Sequence, residues 1–462
     1  MMTAQSERTD ILDGYYRWRT RVVQNNSFSC IPIDFAESQE WAFREGALKH
    51  RTGGFFSLVG VEATSRFDQL DGREQLIIFQ PEIAINGFLI RRLNDRVEVL
   101  FQGRVEPGNI DAFQLAPTVQ STEANYKRMH GGAATPFVEW FLEENSSQTL
   151  YDKLQSEEGT RYHGKYNRNV VLEIPTDKDL ELPSQFRWYS LNAIREFAIS
   201  DNILNTDSRS VLSCMDWDLL AGPGQAFRGH ASGTYGEHLM LSYCSDEDQA
   251  ECSTLELFEW LTRLRVWGAL RTKIKPITEL KNWIIDACEI RELNPERGFV
   301  ARQYKVEARK REVVFWDQPL IDSQGIGHIA LVSQMRCGVL HILIKASCEI
   351  GYLEGVQLSA SVMIAPGEVA DESDPIEREI LQRIESGDGV EVILHLRQSE
   401  EGGRFYEDEN NYQIVLLDER VVIPESDYYR WITLNQVKNI IQVPGIFSIE
   451  FRGALTLLIS YL

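Results

Sequence analysis

The hydrophobic pattern of this chain predicts one series of elements that occurs twice. Apolar side chains at helical spacing (Tyr15, Trp18 and Val22) begin the first series, and residues 255–273 repeat that arrangement before the second. Short runs rich in Val, Ile, Leu and Phe then predict β-strands. The strands predicted in the first series are 54–61, 75–81, 87–92, 96–106, 112–120 and 169–174, and those in the second are 298–308, 312–321, 328–335, 338–349, 355–364 and 412–418.

Helices are predicted after the strands of each series. Thr135-Pro136 and Asp374-Pro375 each place an N-cap residue before a proline at the first helical position. A further helix is predicted at 191–199 in the first series and at 434–441 in the second. Strands followed by a few helices indicate an α+β unit with a mixed sheet, and this unit is made twice.

A sequence repeat supports the duplication. The octet QSEEGTRY at 155–162 returns as QSEEGGRF at 398–405, an offset of 398 − 155 = 243 residues. We call these the first octet and the second octet. At the same offset, Asp207 and Arg209 return as Glu450 and Arg452. A repeat of this length identifies two copies of one structural unit.

The repeat sets the domain boundaries. We predict a first repeat at 11–214, a linker at 215–252 and a second repeat at 253–462. A chain of 462 residues exceeds what one hydrophobic core usually serves, so two cores are expected.

Charge and composition exclude several classes of protein. The net charge of −22 repels phosphate backbones, so no nucleic-acid partner is expected. Residues 1–10 are polar and no apolar run approaches a membrane span, so we expect a cytoplasmic protein with no membrane partner. Seven cysteines form no Cys-x-x-Cys pair and eight histidines form no metal-binding spacing, so reduced thiols and no metal site are predicted.

The two copies differ most in one loop. Residues 120–132 of the first copy contain Asn, Tyr, Lys, Arg, His and paired glycines, whereas the second copy has an unrelated loop through Pro366-Gly367. Lys165 and Arg168 are also replaced by uncharged or acidic residues in the second copy. Amides, a phenol, cations, an imidazole and glycine N–H groups suit a polar, anionic ligand.

Single residues in these stretches each allow a structural role. His130 either satisfies a buried carbonyl or transfers a proton, as an imidazole does near neutral pH. Tyr126 is either a packed ring or a site hydroxyl. The arginines that occur in both copies either form internal ion pairs or grip phosphate oxygens. These arginines are Arg161, Arg404, Arg209 and Arg452.

Several motifs in order give the chain a family resemblance. They are Gln80-Pro81, Glu106 to Asn109, Pro117 to Gln120, Asn125-Tyr126, His130-Gly131, Gln155 to Gly159, Asn167 to Asn169 and Asn205 to Leu212. Together they resemble the NDP-hexose 2,3-dehydratases of deoxysugar biosynthesis over nearly the whole chain.

The resemblance implies two tandem Nudix-like α+β repeats, a homodimer and a dTDP-4-keto-6-deoxy-D-glucose substrate. The family removes water across C2 and C3 without cofactor or metal, and a partner 3-ketoreductase takes the 3,4-diketo-2,6-dideoxy sugar onward. The chemistry requires a base at C3, donors for the enolate oxygen and an acid for the C2 hydroxyl. A Nudix hydrolase is disfavoured, because the sequence lacks the glutamate-rich Nudix box that would hold Mg²⁺.

Two departures from the family pattern concern the site. Glu123 stands where the family run has a cation, which leaves open how the first copy holds the sugar or diphosphate. Residues 359–363 of the second copy replace the expected Pro-Thr-Val-Gln, which indicates a weakened second pocket.

We therefore expect His130 to be the C3 base and Tyr126 to protonate the leaving hydroxyl or hold the enolate oxygen. The residues expected to bind substrate are Gln114, Thr118, Gln120, Asn125, Arg128, Gly131, Gly132, Arg161, Lys165, Asn167, Arg168 and Arg209. A possible second nucleotide site contains Gln357, Arg404 and Arg452. The alternatives are a non-catalytic nucleotide-sugar binding protein and an epimerase or isomerase that uses the same enolate.

Overall fold

The computed structural model describes residues 4–67, 69–94, 96–129, 131–143, 147–294, 298–309, 311, 313–368, 370 and 373–462. The first repeat contains α1 (Ala4–Gln24), β1 (Ser29–Ile33), β2 (Trp41–Arg44), β3 (Ala47–His50), β4 (Ser57–Thr64), β5 (Glu74–Phe79), β6 (Ala84–Leu93), β7 (Arg96–Val105), β8 (Phe113–Ala116), β9 (Val119–Ser121), α2 (Glu123–Tyr126), α3 (Glu139–Leu142), β10 (Gln148–Ser156), β11 (Tyr166–Glu173), β12 (Phe186–Ser190), α4 (Leu191–Ala198) and α5 (Thr206–Cys214).

The second repeat has the same element order, except that one helix, α9 (Pro375–Ser386), stands where the first repeat has α2 and α3. After α6 (Trp217–Ala221) and α7 (Tyr235–Tyr243), it contains α8 (Thr254–Gly268), β13 (Arg271–Lys275), β14 (Trp283–Ile285), β15 (Glu289–Glu292), β16 (Phe299–Glu307), β17 (Phe315–Ser323), β18 (Gly327–Arg336), β19 (Val339–Ser347), β20 (Gln357–Ser359), β21 (Val362–Ile364), α9 (Pro375–Ser386), β22 (Val390–Ser399), β23 (Glu409–Leu417), β24 (Tyr429–Thr433), α10 (Leu434–Ile440) and α11 (Ile449–Thr456). The predicted α+β class is confirmed.

Each repeat has one large mixed sheet. Its strand order is β10-β11-β6-β7-β12 in the first repeat, with β8 on β7 and β9 on β6. The second repeat has the equivalent neighbours, β22-β23-β18-β19, with β20 and β24 on β19 and β21 on β18. In both sheets one central pair is parallel, β11 with β6 and β23 with β18.

The two small sheets exchange their first strands. β1 of the first repeat pairs with β16 of the second, from Ser29 opposite Glu307 to Ile33 opposite Gln303. In return, β13 of the second repeat pairs with β4 of the first. Each small sheet is therefore completed by a strand from the other repeat.

The octets also cross between the repeats. The Gly108 N–H donates to the Gly402 carbonyl (2.7 Å), and a Cβ at Gly108 would lie 1.5 Å from a backbone oxygen of the second octet. The counterpart Gly351 donates to Gly159 of the first octet (2.8 Å). A glycine is needed in each strand-end turn because the other repeat's backbone approaches too closely for a side chain.

The repeats share their main core. One buried cluster contains Phe88, Phe101 and Leu212 from the first repeat together with Ile329 and Phe451 from the second. Each large sheet has a separate cluster on its other face. The expectation of two independent cores is therefore wrong, because the facing sides of the repeats bury one another.

The structure differs locally from two sequence predictions. Asp374 caps α9 as predicted, accepting from the N–H groups of Ile376 and Glu377, but Thr135 bonds the Ser121 hydroxyl (3.1 Å) and α3 is short. The segment predicted as a linker contains α6 and α7, and the hydroxyl of Ser242 donates to the Leu340 carbonyl (2.5 Å). The segment thus packs as part of the fold.

Among the described residues, no helix combines the length and the apolar character that crossing a membrane requires.

Candidate functional site

A cavity of about 410 Å³ lies beside the large sheet of the first repeat, and we call it the first-repeat cavity. The small sheet contributes Trp41 and His50 to its wall, and the large sheet contributes Asn86 and Gln120. Arg404 of the second octet closes the wall from the other repeat. The cavity therefore forms only when the two repeats are docked.

Five carboxyl residues line this cavity, and three of them are central to its chemistry: Glu106, Asp207 and Glu401. Asn86 Nδ2 donates to Asp207 Oδ1 (2.5 Å), and Arg311 donates to Glu106 (3.0 Å). Burial, followed by repulsion from Glu401, raises the pKa of Asp207 well above its ordinary value. Both effects favour the protonated form of the Asp207 carboxyl group.

Other titratable groups lie next to these carboxyl groups. Asn167 Nδ2 donates to Glu157 (2.6 Å), and burial together with Glu401 raises the pKa of Glu157 to about 7. Lys165 donates to the backbone carbonyl of Glu82, and burial lowers the pKa of its ammonium group. A site with groups that titrate near neutral pH is suited to proton transfer.

Arg404 presents a cation to the cavity. Its Nη2 and Nε atoms donate to Gln80 Oε1 (3.0 and 3.3 Å), and its guanidinium lies 4.2 Å from the ring centroid of Phe56. Gln80 holds one edge of the planar guanidinium and the Phe56 ring covers one face, so the remaining N–H donors have a fixed direction.

Aromatic rings form the opposite wall. The Trp41 and Phe56 centroids are 4.6 Å apart, and His50 lies 4.6 Å from Phe55. His50 Nδ1 is 2.7 Å from the hydroxyl of Thr52, which fixes the orientation of the imidazole. Flat rings of this kind suit the face of a sugar or a base.

Five of the predicted site residues line this cavity. They are Gln120, Asn125, Lys165, Asn167 and Arg404. The carbonyl of Gln120 accepts from Asn205 Nδ2 (2.8 Å), so its amide group is held in place.

Two predicted arginines lie elsewhere. The Arg161 guanidinium lies 4.2 Å from the Phe299 ring centroid and donates to the Pro366 carbonyl (3.4 Å), both in the second repeat. Arg209 is fully buried and donates to the Ser399 carbonyl (2.6 Å). Both residues join the repeats to one another and are not among the cavity-lining side chains.

Three further predicted residues lie outside the lining. Gln114 donates to a backbone carbonyl (3.0 Å) and to the hydroxyl of Ser399 (2.5 Å), and Thr118 donates to a strand carbonyl (2.5 Å). Arg168 pairs with Asp152 (2.7 Å) on the surface of the large sheet. These contacts stabilise the framework around the cavity.

The loop that distinguishes the repeats is described except at His130, which lies outside the described residues. The Tyr126 ring packs with the outer core cluster of the first repeat. Arg128 and Gly131 are exposed and Gly132 is half-buried. None of these four described residues lines the cavity.

The residues of the possible second nucleotide site are divided. Gln357 and Arg452 are both buried and both bond Ser156, the first accepting from its hydroxyl (2.9 Å) and the second donating to its carbonyl (2.5 Å). Arg404 belongs to the first-repeat cavity instead.

Sequence reasoning missed His50, Asn86, Arg104, Asp207 and Glu401 as lining residues. The 243-residue offset was a usable signal, since Asp207 recurs as Glu450 and Glu401 matches Glu158. The offset does not show that Glu401 lines the first-repeat cavity, because it reaches that cavity through the crossing of the octets.

Comparison with known proteins identifies the whole chain with one family. A family model described as NDP-hexose 2,3-dehydratase matches residues 13–215 and 254–458, one match in each repeat.

Three curated relatives carry the name dTDP-4-dehydro-6-deoxy-alpha-D-glucopyranose 2,3-dehydratase. The protein from Streptomyces violaceoruber is 31% identical over 89% of this chain and 88% of its own length. The protein from Amycolatopsis orientalis is 30% identical over 93% of this chain and 86% of its own length, and that from Saccharopolyspora spinosa is 29% identical over 95% and 89%.

Proposed function

This chain belongs to the NDP-hexose 2,3-dehydratase family of hydro-lyases, and from that premise we propose that its first-repeat cavity removes water across C2 and C3 of dTDP-4-keto-6-deoxy-D-glucose. The supporting observation is that buried carboxyl groups and a fixed cation meet there beside an aromatic wall. The product is the 3,4-diketo-2,6-dideoxy sugar.

The C4 ketone determines the order of events. It acidifies the C3 hydrogen, so a base removes that proton and the charge moves to the C4 oxygen. Arg404 and Lys165, two of the four cationic side chains that line the cavity beside His50, stabilise the enolate oxygen or the diphosphate. The C2–O bond then breaks, and the resulting enol takes a proton at C2 to give the diketone.

We assign protonation of the departing C2 hydroxyl to Asp207. Asp207 is 3% exposed and lines the cavity, and its burial raises the pKa of the carboxyl group well above its ordinary value, which favours the acid form. The hydrogen bond from Asn86 fixes its orientation. Asp207 is better placed for this role than Tyr126, whose ring faces the outer core cluster.

We retain His130 as the proposed C3 base. Three residues that precede it in the chain, Thr122, Asn125 and Met129, line the cavity. His50 is the competing imidazole on the aromatic wall. His130→Ala should abolish turnover while dTDP binding is kept, and His50→Ala should not; the reverse result would transfer the role to His50.

The deciding experiment incubates the protein with the 4-keto sugar nucleotide and a hydride-donating 3-ketoreductase. Mass spectrometry should detect a 2-deoxy product. Proton exchange at C3 without loss of water would instead favour an epimerase or isomerase, and binding without either reaction would favour a carrier.

A matched pair of variants tests Asp207. Asp207→Asn should lower kcat by roughly 100-fold or more, the usual contribution of a general acid. Its counterpart at the 243-residue offset, Glu450→Gln, should retain turnover because Glu450 lies in the other repeat. Equal kcat values in the two variants would remove Asp207 from the mechanism.

Three finer expectations accompany the function. We propose that the repeats are Nudix-like, that the protein is a homodimer in the cytoplasm, and that a 3-ketoreductase consumes the reactive diketone. Light scattering coupled to size exclusion tests the dimer, and product yield with and without the reductase tests the coupling.

A further inference from the structure

The two octets differ at two of their eight positions. The first octet is QSEEGTRY and the second is QSEEGGRF, so Gly403 stands in the place of Thr160 and Phe405 in the place of Tyr162. At both positions the first octet has a hydroxyl group and the second has none. Any difference in side-chain chemistry between the octets therefore lies in these two hydroxyl groups.

Each of these hydroxyl groups bonds the fourth residue of an octet. That residue is Glu158 in the first octet and Glu401 in the second. Thr160 Oγ1 donates to Glu158 Oε1 within its own octet (2.7 Å), whereas the Tyr162 hydroxyl crosses between the octets and donates to Glu401 Oε2. The first octet thus supplies a donor to both glutamates.

The two glutamates lie in different cavities. Glu401 lines the first-repeat cavity. Glu158 lines a cavity of about 160 Å³ in the second repeat, which we call the second-repeat cavity, and there Ser347 stands at the position equivalent to Arg104. Of the two hydroxyl groups that distinguish the octets, the one on Tyr162 therefore bonds a carboxyl group of the proposed active site.

The Tyr162 side chain is held rigidly. It is 2% exposed, and the backbone on both sides of it bonds Ile78 of β5 (2.8 and 2.9 Å). Its ring meets that of Phe405 edge to face, with 5.9 Å between the centroids. Burial and the neighbouring Glu401 raise the pKa of the phenol well above its ordinary value, so the hydroxyl keeps its proton and donates it. Glu401 accordingly receives a donor of fixed direction.

The proposed reaction contains a proton transfer to which no residue has yet been assigned. Loss of water leaves an enol with its hydroxyl group on C3, and that hydroxyl must give up its proton when C3 becomes a ketone. The transfer requires a base beside the C3 oxygen. Since the C2 and C3 hydroxyl groups are neighbours on the ring, this base must lie in the same cavity as the acid that protonates the C2 hydroxyl.

Glu401 and Asp207 have the environments of a base and an acid. A hydroxyl donor favours the charged form of a carboxyl group, as Tyr162 does for Glu401, whereas burial favours the acid form of Asp207. Carboxyl groups whose surroundings differ in this way commonly divide the two roles. Both residues line the first-repeat cavity.

Two other carboxylates of the cavity are engaged elsewhere. Glu106 accepts from the guanidinium of Arg311 (3.0 Å). Asp317 accepts from the backbone N–H groups of residues 39 and 40 (2.9 and 3.3 Å), so it holds a turn of the first repeat. These contacts favour Glu401 as the base.

We propose that Glu401 accepts the proton of the C3 hydroxyl as the enol becomes the ketone, and that Tyr162 is the positioning residue that orients Glu401 for this step. The inference rests on the proposed function. The O–H bond breaks toward Glu401 and its electron pair forms the C3 carbonyl, while the C2–C3 double-bond pair takes a proton from solvent water at C2. Glu401 then returns its proton to the solvent.

Tyr162→Phe tests the positioning role, because it removes one hydroxyl group and copies the residue of the second octet. Loss of water and KM should be unchanged, whereas ketone formation should slow by roughly 10-fold, the effect of losing one hydrogen bond to a charged group. Rapid quenching with substrate labelled with ¹³C at C3 measures both steps, since NMR distinguishes the enol carbon from the ketone carbon. The enol should accumulate.

Thr160→Val is the matched control. It removes the other hydroxyl group that distinguishes the octets, the one that bonds Glu158 in the second-repeat cavity. Water loss and ketone formation should both proceed at the rates of the parent. Tm of each variant shows whether folding is affected.

A double variant tests whether Tyr162 acts through Glu401. Glu401→Gln should slow ketone formation by roughly 100-fold, the usual contribution of a general base, while water loss continues. Adding Tyr162→Phe to Glu401→Gln should cause no further loss, because the hydroxyl has no base left to orient. A purely structural role for Tyr162 would instead give losses that add and a lower Tm.

Four results would overturn the inference. Ketone formation at the parent rate in Glu401→Gln would leave the proton to Asp207 or to water, and additive losses in the double variant would separate Tyr162 from Glu401. Should Glu401→Gln not fold, normal ketone formation in Tyr162→Phe is decisive. A parent protein that loses no water from the 4-keto sugar nucleotide would overturn the proposed function and this inference with it.

Discussion

Arg404 and Arg161 occupy equivalent positions in the sequence, but only Arg404 lines the first-repeat cavity. Arg404 lies over Phe56 in the first-repeat cavity, while Arg161 lies over Phe299 in the second repeat. One substitution made at both positions therefore separates a site effect from a structural effect.

Arg404→Gln should weaken dTDP binding by roughly 10-fold or more, since a charge-assisted hydrogen bond contributes about 1.5–3 kcal/mol. Arg161→Gln removes the same group from the equivalent position, where it lies over Phe299 outside the first-repeat cavity, and should leave that affinity nearly unchanged. Isothermal titration with dTDP measures both. A larger loss of affinity in Arg161→Gln than in Arg404→Gln would contradict the assignment of the nucleotide to the first-repeat cavity.

The small sheet of the first repeat depends on β13 from the second. β13 is a terminal strand of that sheet and pairs only with β4 among the described strands. The strands of this sheet and its loops carry Trp41, His50 and Phe56 to the cavity wall. Loss of β13 pairing should therefore disturb the site as well as the fold.

A proline pair tests this dependence. In the exchanged strand β1, Pro32 is paired with Tyr304. The pairing of β13 with β4 has the same register, so Ile274 occupies the position in β13 that Pro32 occupies in β1. Ile274→Pro should be tolerated, whereas Lys273→Pro removes an N–H directed at β4 and should destabilise the protein by about 1 kcal/mol or more. Urea unfolding and kcat/KM measure the two effects. Equal stability in both variants would contradict the exchange of strands between the two small sheets.

The sequence predicted the long central strands better than the short outer ones. β18 and β19 contain the apolar runs IALV and ILI, and both strands were predicted. β13 (RTKIK) is mostly exposed and has no apolar alternation, so its pattern gives no strand signal. β1, β2 and β3 were not predicted because these strands are also short and partly exposed.

The candidate site was predictable where its residues lie in one repeat. The loop from Gln120 and the pair Lys165 and Asn167 stand out by comparison of the copies, and they line the cavity. Arg404 and Glu401 could not be assigned to it, because only the docking of the repeats shows which octet faces which cavity.

The stability of the whole molecule should depend on pH through both cavities. Burial raises the pKa of Glu157 and Glu400 to about 7 and that of Glu450 to about 8, against 4.5 for an exposed glutamate. Between pH 4.5 and 8 the folded state thus binds more protons than the unfolded state. The free energy of unfolding should therefore fall as pH rises through that window.

Urea unfolding at pH 5.5 and pH 8 measures this difference, which we expect to exceed about 1 kcal/mol, the scale of one pKa unit. The net charge of −22 acts in the same direction, so Glu450→Gln is the control that isolates a buried group. That variant should show a smaller difference between the two pH values than the parent. An unchanged difference would show that surface repulsion alone is responsible.

Because the octets cross between the repeats, the evolution of one repeat is linked to that of the other. Since the second octet forms part of the wall of the first-repeat cavity, selection for catalysis acts on residues 398–405 of a repeat whose own cavity has lost the guanidinium of Arg104. The second repeat can therefore change its loops freely but cannot lose its octet or be discarded. This explains why the motif QSEEG occurs twice in the chain whereas the loop around Asn125 occurs once.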